Sequence, residues 1–150
     1  MAVRYSTGLR TTLQGTLGLK GTGVLDAFFI DIRSGAQPVD SDQAPTGSTL
    51  LATYTVNGDG TTALAFGTPS AGVVPKDPTQ TWSATGLAAG TAGWFRVRRS
   101  GDLGTTNTTD IRIDGSIATV GGDMQMPLTA IAVGSPLSLS VFSLNWKNSP

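Results

Sequence analysis

Short hydrophobic segments recur along this chain, and clusters of glycine, proline, aspartate and asparagine separate them. Side chains alternate between the two faces of a β-strand, so apolar residues at every second position predict a half-buried strand. In 50–56, Leu50, Ala52, Tyr54 and Val56 alternate with other residues in this way. Many short strands joined by turn clusters are typical of an antiparallel β-sandwich or jelly roll, so we predict an all-β fold. The predicted strands are 24–33, 50–56, 62–66, 81–85, 93–99, 110–114, 130–133 and 136–146.

A chain of 150 residues without an internal repeat or a linker predicts one β domain, 1–150. Near its start, Leu9, Leu13 and Leu17 are spaced by four residues, which places them on one face of a short helix. Either Ser6 or Thr7 is available as its N-cap. The other expected features are an N-terminal arm at 1–5, the helix at 6–19, and long loops at 34–48 and 67–80.

Three residue types are missing from the sequence, namely histidine, cysteine and glutamate. Their absence excludes a Ser-His-Asp triad, a cysteine nucleophile, a thiolate zinc site and a disulfide scaffold. The ten basic and ten acidic residues balance, which argues against an electrostatic nucleic-acid or membrane-surface partner. No apolar stretch has the length of a signal peptide or a membrane span. We therefore expect a non-enzymatic protein made in the cytoplasm, with no cofactor and no bound metal.

The aspartates and glycines allow three alternative interpretations. Two of the carboxylates could act as the acid and the nucleophile or base of a glycosidase. Asn57–Gly60, or the pair Asp110 and Asp114, could supply oxygen ligands to calcium. The glycines of 15–23 resemble those of a phosphate-binding loop, but the segment lacks the GK[ST] ending of that motif. Aspartate, asparagine and glycine all stabilise turns, and we interpret these residues as turn residues.

One candidate contact region is the segment 94–99. Alternation places Phe95 and Val97 on one face of the predicted strand, and Trp94, Arg96 and Arg98 on the other. An outward tryptophan beside arginines is typical of a protein-binding surface. The alternative is that the arginine stems simply cover a tryptophan on the second face of the sheet.

A second candidate lies in the C-terminal segment. Leu137, Leu139 and Val141 share one phase of the alternation, whereas Phe142 and Trp146 belong to the opposite phase. A β-bulge at 141–142 explains the switch, since one extra residue redirects every later side chain. The alternative is a strand buried on both faces, one of them by a partner subunit.

Five blocks of the sequence resemble, in the same order, a family of small tailed-bacteriophage virion proteins. The blocks are AVRYSTGLR at 2–10, IRSGAQP at 32–38, GTAGWFR at 90–96, DGSI at 114–117 and LSVFSL at 139–144. The similar proteins that are placed in virions are jelly-roll capsid decoration, or cement, proteins. The resemblance therefore implies a structural role and carries over no catalytic residue.

Such a role implies a location on the outer capsid surface of the virion, with the major capsid protein as partner. Self-association as a homodimer or homotrimer is also expected, because closed symmetric oligomers dominate. The candidate interface residues are Arg4, Tyr5, Trp94, Arg96, Arg98, Phe142 and Trp146. The alternatives are a tail or head–tail junction component, or a carbohydrate-binding β-sandwich that uses Trp82, Trp94 or Trp146 as a sugar platform.

Overall fold

Twelve β-strands and a helical turn at 7–9 form the regular structure of the residues that the computed structural model describes, 3–9, 27–68 and 73–145. The strands are β1 (Arg4–Tyr5), β2 (Phe28–Gly35), β3 (Ser48–Val56), β4 (Val73–Pro75), β5 (Trp82–Thr85), β6 (Gly90–Thr91), β7 (Trp94–Arg99), β8 (Arg112–Ala118), β9 (Met124–Gln125), β10 (Ala130–Ile131), β11 (Pro136–Leu139) and β12 (Ser143–Asn145). Within these ranges no helix is long and apolar enough to cross a membrane.

One large sheet dominates the architecture. Its strand order is β1-β8-β7-β2-β3-β5-β11, and β9 adds to it by pairing with β8. Two small sheets, β10-β6 and β12-β4, supply residues to the same hydrophobic core. All of these pairings are antiparallel except that between β8 and β9. The prediction of an all-β, antiparallel, sandwich-like fold is confirmed.

The core lies against one face of the large sheet. In β2, Phe28, Ile30 and Ile32 are fully buried, and their cross-strand partners in β7 include Val97 and Phe95. The period of two that the sequence shows therefore sorts the side chains correctly at the centre of the sheet. The second face of these strands carries mostly charged residues.

Five aromatic rings form a cluster within this core. Phe28 stacks on Phe66 with ring centroids 4.4 Å apart, and Trp82 meets Phe28 edge-on at 5.4 Å. Phe142 lies 5.9 Å from Trp82 and 6.2 Å from Phe95. Offset and edge-to-face contacts at these distances add to the stabilisation from burial. The cluster joins β2, β5 and β7 to the chain segments that flank β4 and β12.

The segment 62–66 differs from its expected role as the hairpin partner of β3. The turn at Asn57–Gly60 is present, and both Asn57 and Gly58 adopt positive φ. After the turn, however, the chain crosses to β2, where Leu64 forms an isolated bridge with Phe28. The neighbours of β3 are β2 and β5 instead. The expected loop at 67–80 also contains a short strand, β4.

The C-terminal segment is two strands rather than one. β11 pairs with β5 and β12 pairs with β4, so the chain leaves one sheet and enters another. Val141 in the connection is 79% exposed, whereas Phe142 enters the aromatic cluster. The change of phase at 141–142 thus reflects a change of sheet, and neither the β-bulge nor a continuous doubly buried strand is present.

The N-terminus is only partly as expected. The oxygen of the Ser6 side chain accepts a hydrogen bond from the Leu9 N–H at 3.1 Å, so Ser6 is the N-cap of the turn at 7–9. The rest of the predicted helix lies outside the described residues. The predicted arm is held by the chain itself, because Arg4 and Tyr5 pair with Asp114 and Ile113 of β8.

Candidate functional site

The second face of the large sheet carries a row of charges that crosses four strands. Arg4 of β1 lies opposite Asp114 of β8, which lies opposite Arg96 of β7, which in turn lies opposite Asp31 of β2. Opposite charges therefore alternate from strand to strand, and opposite charges at directly paired positions stabilise a sheet. We call Asp31, Arg96, Arg98, Asp102, Arg112 and Asp114 the charged layer.

Two ion pairs of the charged layer are made within the sheet. The Nε and Nη2 atoms of Arg96 each donate to one oxygen of Asp114 at 2.7 Å, and both side chains are buried. Arg98 donates to Asp31 from Nε at 2.8 Å and from Nη2 at 3.3 Å. Two parallel bonds between a guanidinium and a carboxylate fix the orientation of both groups.

Arg112 makes the largest set of contacts in the charged layer. Its Nε and Nη2 atoms donate to the two oxygens of Asp102 at 2.6 Å, and Nη2 also lies 2.7 Å from an oxygen of Asp110. Nη1 lies 3.3 Å from the Ser41 carbonyl and 3.2 Å from that of Asp42. A single buried side chain therefore holds two separate loops onto the sheet.

These two loops, 36–47 between β2 and β3 and 100–111 between β7 and β8, are called the covering loops. The first also supplies the carbonyl of Gln43 to Arg96 Nη1 at 2.9 Å. The loops bond to each other, since the Asn107 N–H donates to the Asp42 carbonyl at 2.9 Å and the Ala44 N–H to the Thr106 hydroxyl at 3.0 Å. The arginines beneath the loops anchor them to the sheet, and the bonds between the loops hold them to each other.

Burial and hydrogen bonding act in opposite directions on the pKa of Asp102. Desolvation raises this pKa, but bonds from the Arg112 guanidinium and the Gly104 N–H outweigh it and lower the pKa below its ordinary value. For Arg112, desolvation lowers the pKa, and the bonds to Asp102 reverse the direction and raise it. The pair is thus charged in the folded protein at neutral pH.

The lowered pKa of Asp102 predicts how stability depends on pH. An aspartate that binds its proton more weakly when folded stabilises the protein above its unfolded pKa of about 3.9, and this contribution is lost as the pH falls through the folded value. We expect Asp102→Asn to be less stable than the wild type at pH 7, with a difference that narrows below about pH 4. Urea unfolding at pH 7, 5 and 3 measures this difference, and a constant difference across the three values would contradict the assignment.

The covering loops present two apolar side chains to solvent. Val39 is 79% exposed and Leu103 is 89% exposed. Each follows an anchored residue, because the Pro38 carbonyl accepts a bond from Arg4 at 3.2 Å and Asp102 is held by Arg112. We call Val39 and Leu103 the loop tips. Val39 also lines a surface cavity of about 400 Å³ with residues of both covering loops.

Trp94 lies on the predicted face of β7 but is not an outward residue. It is 0% exposed, and the guanidinium carbons of Arg33 and Arg96 lie 5.8 and 5.6 Å from its ring centroid. The alternative, that arginines cover a tryptophan on the second face, is therefore correct. The strand pattern does not show that loops cover this face.

The other predicted site residues are dispersed. Arg96 is buried in the charged layer, Arg98 is partly buried, and Arg4 and Tyr5 are half-buried in β1. Phe142 belongs to the core, which corrects its expected place on a surface. Trp146 lies outside the described residues. Trp82 and Trp94 are both buried, so neither serves as a sugar platform.

Sequence reasoning missed the loop tips and the loop-anchoring role of Arg112. The loop tips have a weak signal, namely single large apolar residues within otherwise polar loops. Arg112 alternates with Ile111 and Ile113, which places it on the second face, but its bonds to loop carbonyls leave no pattern in the sequence.

Within the described ranges, no group of three or more acidic, histidine or cysteine side chains is placed to hold a metal ion. No protein-family model, curated protein or solved structure matches this chain. The fold and site together define a β module whose charged layer is paired internally and whose apolar loop tips face outward.

Proposed function

We propose that this chain is a structural protein of a tailed-bacteriophage virion, which binds the outer capsid surface and stabilises the shell as a decoration protein. Its partner is the major capsid protein, and it self-associates as a homodimer or homotrimer. It is made in the host cytoplasm and reaches the virion by assembly. The order of the five sequence blocks supports the virion assignment.

The observation that carries the proposal is the loop tips held above the charged layer. The arginines of this layer bond to aspartates and to loop carbonyls, so their charge is used inside the molecule. What the covering loops offer to a partner is apolar surface from Val39 and Leu103. Such an arrangement favours binding through contact area over chemistry on a substrate.

Rigid covering loops suit a protein that binds a repeating surface. A loop whose conformation is already fixed loses little entropy when it docks. A capsid offers many identical sites, and an oligomer that occupies several of them gains affinity through multivalency. Modest apolar contacts at each site then add up to stabilisation of the whole shell.

The copy number of the protein in purified virions tests the proposal. A decoration protein requires a number of copies comparable to that of the major capsid protein, as measured by quantitative mass spectrometry. Absence from the virion would overturn the proposal, and a few copies would favour the tail or head–tail junction component instead.

Substitution of both loop tips by a charged residue is expected to weaken capsid binding without lowering the stability of the fold. We expect Val39→Asp with Leu103→Asp to weaken binding to capsids that lack the protein by at least about tenfold, because each buried side chain contributes about 1.5–3 kcal/mol. Co-sedimentation with such capsids measures the binding. Val120→Asp is the matched control, since Val120 is equally exposed in the turn after β8. Equal binding by both variants would remove the loop tips from the interface.

A further inference from the structure

The strand β11 forms one end of the large sheet. It pairs with β5 over Pro136–Leu139, and within the described ranges no strand pairs with its other side. A sheet edge offers N–H and C=O groups to any further strand. Among the residues that the structure describes, the outer side of β11 is therefore an unpaired edge.

The backbone groups on this open edge follow from the pairing with β5. The Gly86 N–H donates to the Ser135 carbonyl at 2.9 Å, so Ser135 faces β5. In an antiparallel pair, the backbone N–H and C=O groups of alternate residues point to the partner strand. The backbone groups of Leu137 and Leu139 therefore also point to β5, and those of Pro136 and Ser138 point outward. Proline lacks an N–H, and an outward position on an edge is where a strand tolerates it.

An apolar groove runs beside the open edge. It has a volume of about 270 Å³ and lies between β11 and the segment 125–131. Met126 and Ile131 lie in its wall, Leu137 is half-buried, and Leu128 at its side is 68% exposed. Leu137 and Leu139 point to the core side of the sheet, because their partners in β5 are the buried residues Ala84 and Trp82. A strand added to β11 would therefore bring side chains into this groove.

The edge and the groove carry no charge. Between Asp123 and Lys147 the sequence contains no acidic or basic residue. Charged residues, proline and short length all limit pairing at a strand edge, and β11 has a proline at its start and only four residues but no charge. A second uncharged edge would therefore meet neither charge repulsion nor loss of ion hydration at Leu137–Leu139.

We propose that β11 pairs antiparallel with β11 of a second copy of this chain, around a two-fold axis at Ser138. Ser138 of each copy then donates its N–H to the Ser138 carbonyl of the other. The N–H of Ser140 in each copy donates to the Pro136 carbonyl of the other. Because proline has no N–H, the Ser140 carbonyl is the one group of this pair that is left without a partner. Leu137 lies opposite Leu139 of the second copy, so apolar side chains meet on the groove side.

The match between the edge and itself is what selects a second copy as the occupant. The central residues Leu137, Ser138 and Leu139 read Leu-Ser-Leu, which is the same sequence in both directions. A two-fold interface must be self-complementary in this way. The inference rests on the self-association stated under the proposed function and specifies its interface, and it does not depend on the capsid partner.

Light scattering with size exclusion, over a range of protein concentrations, tests the dimer. We expect a particle of twice the 15.4 kDa chain mass. Ser138→Pro removes the central outward N–H, which β5 does not use, and should raise the dimer dissociation constant at least about tenfold. Ser138→Lys places two like charges opposite each other across the axis and should have the same effect. Thr49→Lys, at an exposed position of β3, is the control and should leave the dimer intact.

Circular dichroism and thermal unfolding show whether each variant keeps the monomer fold. A wild-type protein that stays monomeric at high concentration would overturn the inference, as would a trimer or a dimer that both Ser138 variants leave unchanged. If the wild type is monomeric but Ser138→Pro weakens binding to capsids, the occupant is a segment of the capsid protein. Copy number in the virion is independent of all these results, so failure of the dimer leaves the capsid proposal standing.

Discussion

Replacing Arg112 with methionine is expected to lower the free energy of unfolding by about 3–5 kcal/mol. The guanidinium is fully buried, and removing it leaves the carboxylate of Asp102 buried without its charge partner. The Ser41 carbonyl loses its bond from Arg112 at the same time, and the Asp42 carbonyl keeps only its bond from the Asn107 N–H. The cost therefore comes mainly from the groups left behind, and it falls on both covering loops.

Urea unfolding at pH 7, followed by tryptophan fluorescence, measures this effect. Arg99→Met is the matched control, because Arg99 is an exposed arginine of the adjacent strand and its loss should change stability by less than about 0.5 kcal/mol. Arg112→Lys keeps the charge but lacks the planar fork that reaches Asp102 twice, so it should also destabilise. A loss below about 1 kcal/mol for Arg112→Met would show that the charged layer does not anchor the loops.

The centre of the large sheet was predictable because its information is local. The alternation in 93–99 separates Phe95 and Val97 from Trp94, Arg96 and Arg98, and the structure keeps this separation. The strand at 50–56 was found with its end correct and its start two residues late. In both cases the pleat of one strand determines which face each side chain takes.

The cover over the second face was not predictable from the same pattern. Arg96 bonds to a carbonyl 53 residues away and Arg112 to carbonyls 70 and 71 residues away. Every residue has the same backbone carbonyl whatever its side chain is. The acceptors of these hydrogen bonds therefore have no sequence signature. Alternation therefore placed Trp94 on the right face but could not show that this face is buried.

The prediction for the C-terminal segment was wrong for a related reason. The change of phase at Val141 and Phe142 was visible in the sequence, and a bulge within one strand was the local explanation. The true cause is that β11 and β12 belong to different sheets, which only the positions of β5 and β4 decide. Phe142 looked like a surface candidate because its partners in the core are distant along the chain.

Replacing Trp82 with alanine is expected to destabilise the protein by about 3–5 kcal/mol. Its ring meets Phe28, Phe142 and Phe66 at centroid distances of 5.4, 5.9 and 6.1 Å. Its Nε1 atom donates to the Gln80 side chain at 2.9 Å, so the polar end of the ring is also paired. Alanine removes the side chain that joins these aromatic residues and leaves a cavity between β5 and the segment before β12.

The expected loss is a large part of the 5–15 kcal/mol that stabilises a typical domain. With a urea dependence of about 1–3 kcal/mol per molar, the unfolding midpoint should fall by about 2 M. Trp82→Phe keeps most of the apolar contact and should cost less, whereas Leu87→Ala, at an exposed position just after β5, should change little. If Trp82→Ala and Leu87→Ala unfolded at the same urea concentration, the aromatic cluster would not be the centre of the core. Because Phe142 is part of this cluster, that result would also return Phe142 to the set of possible surface contacts.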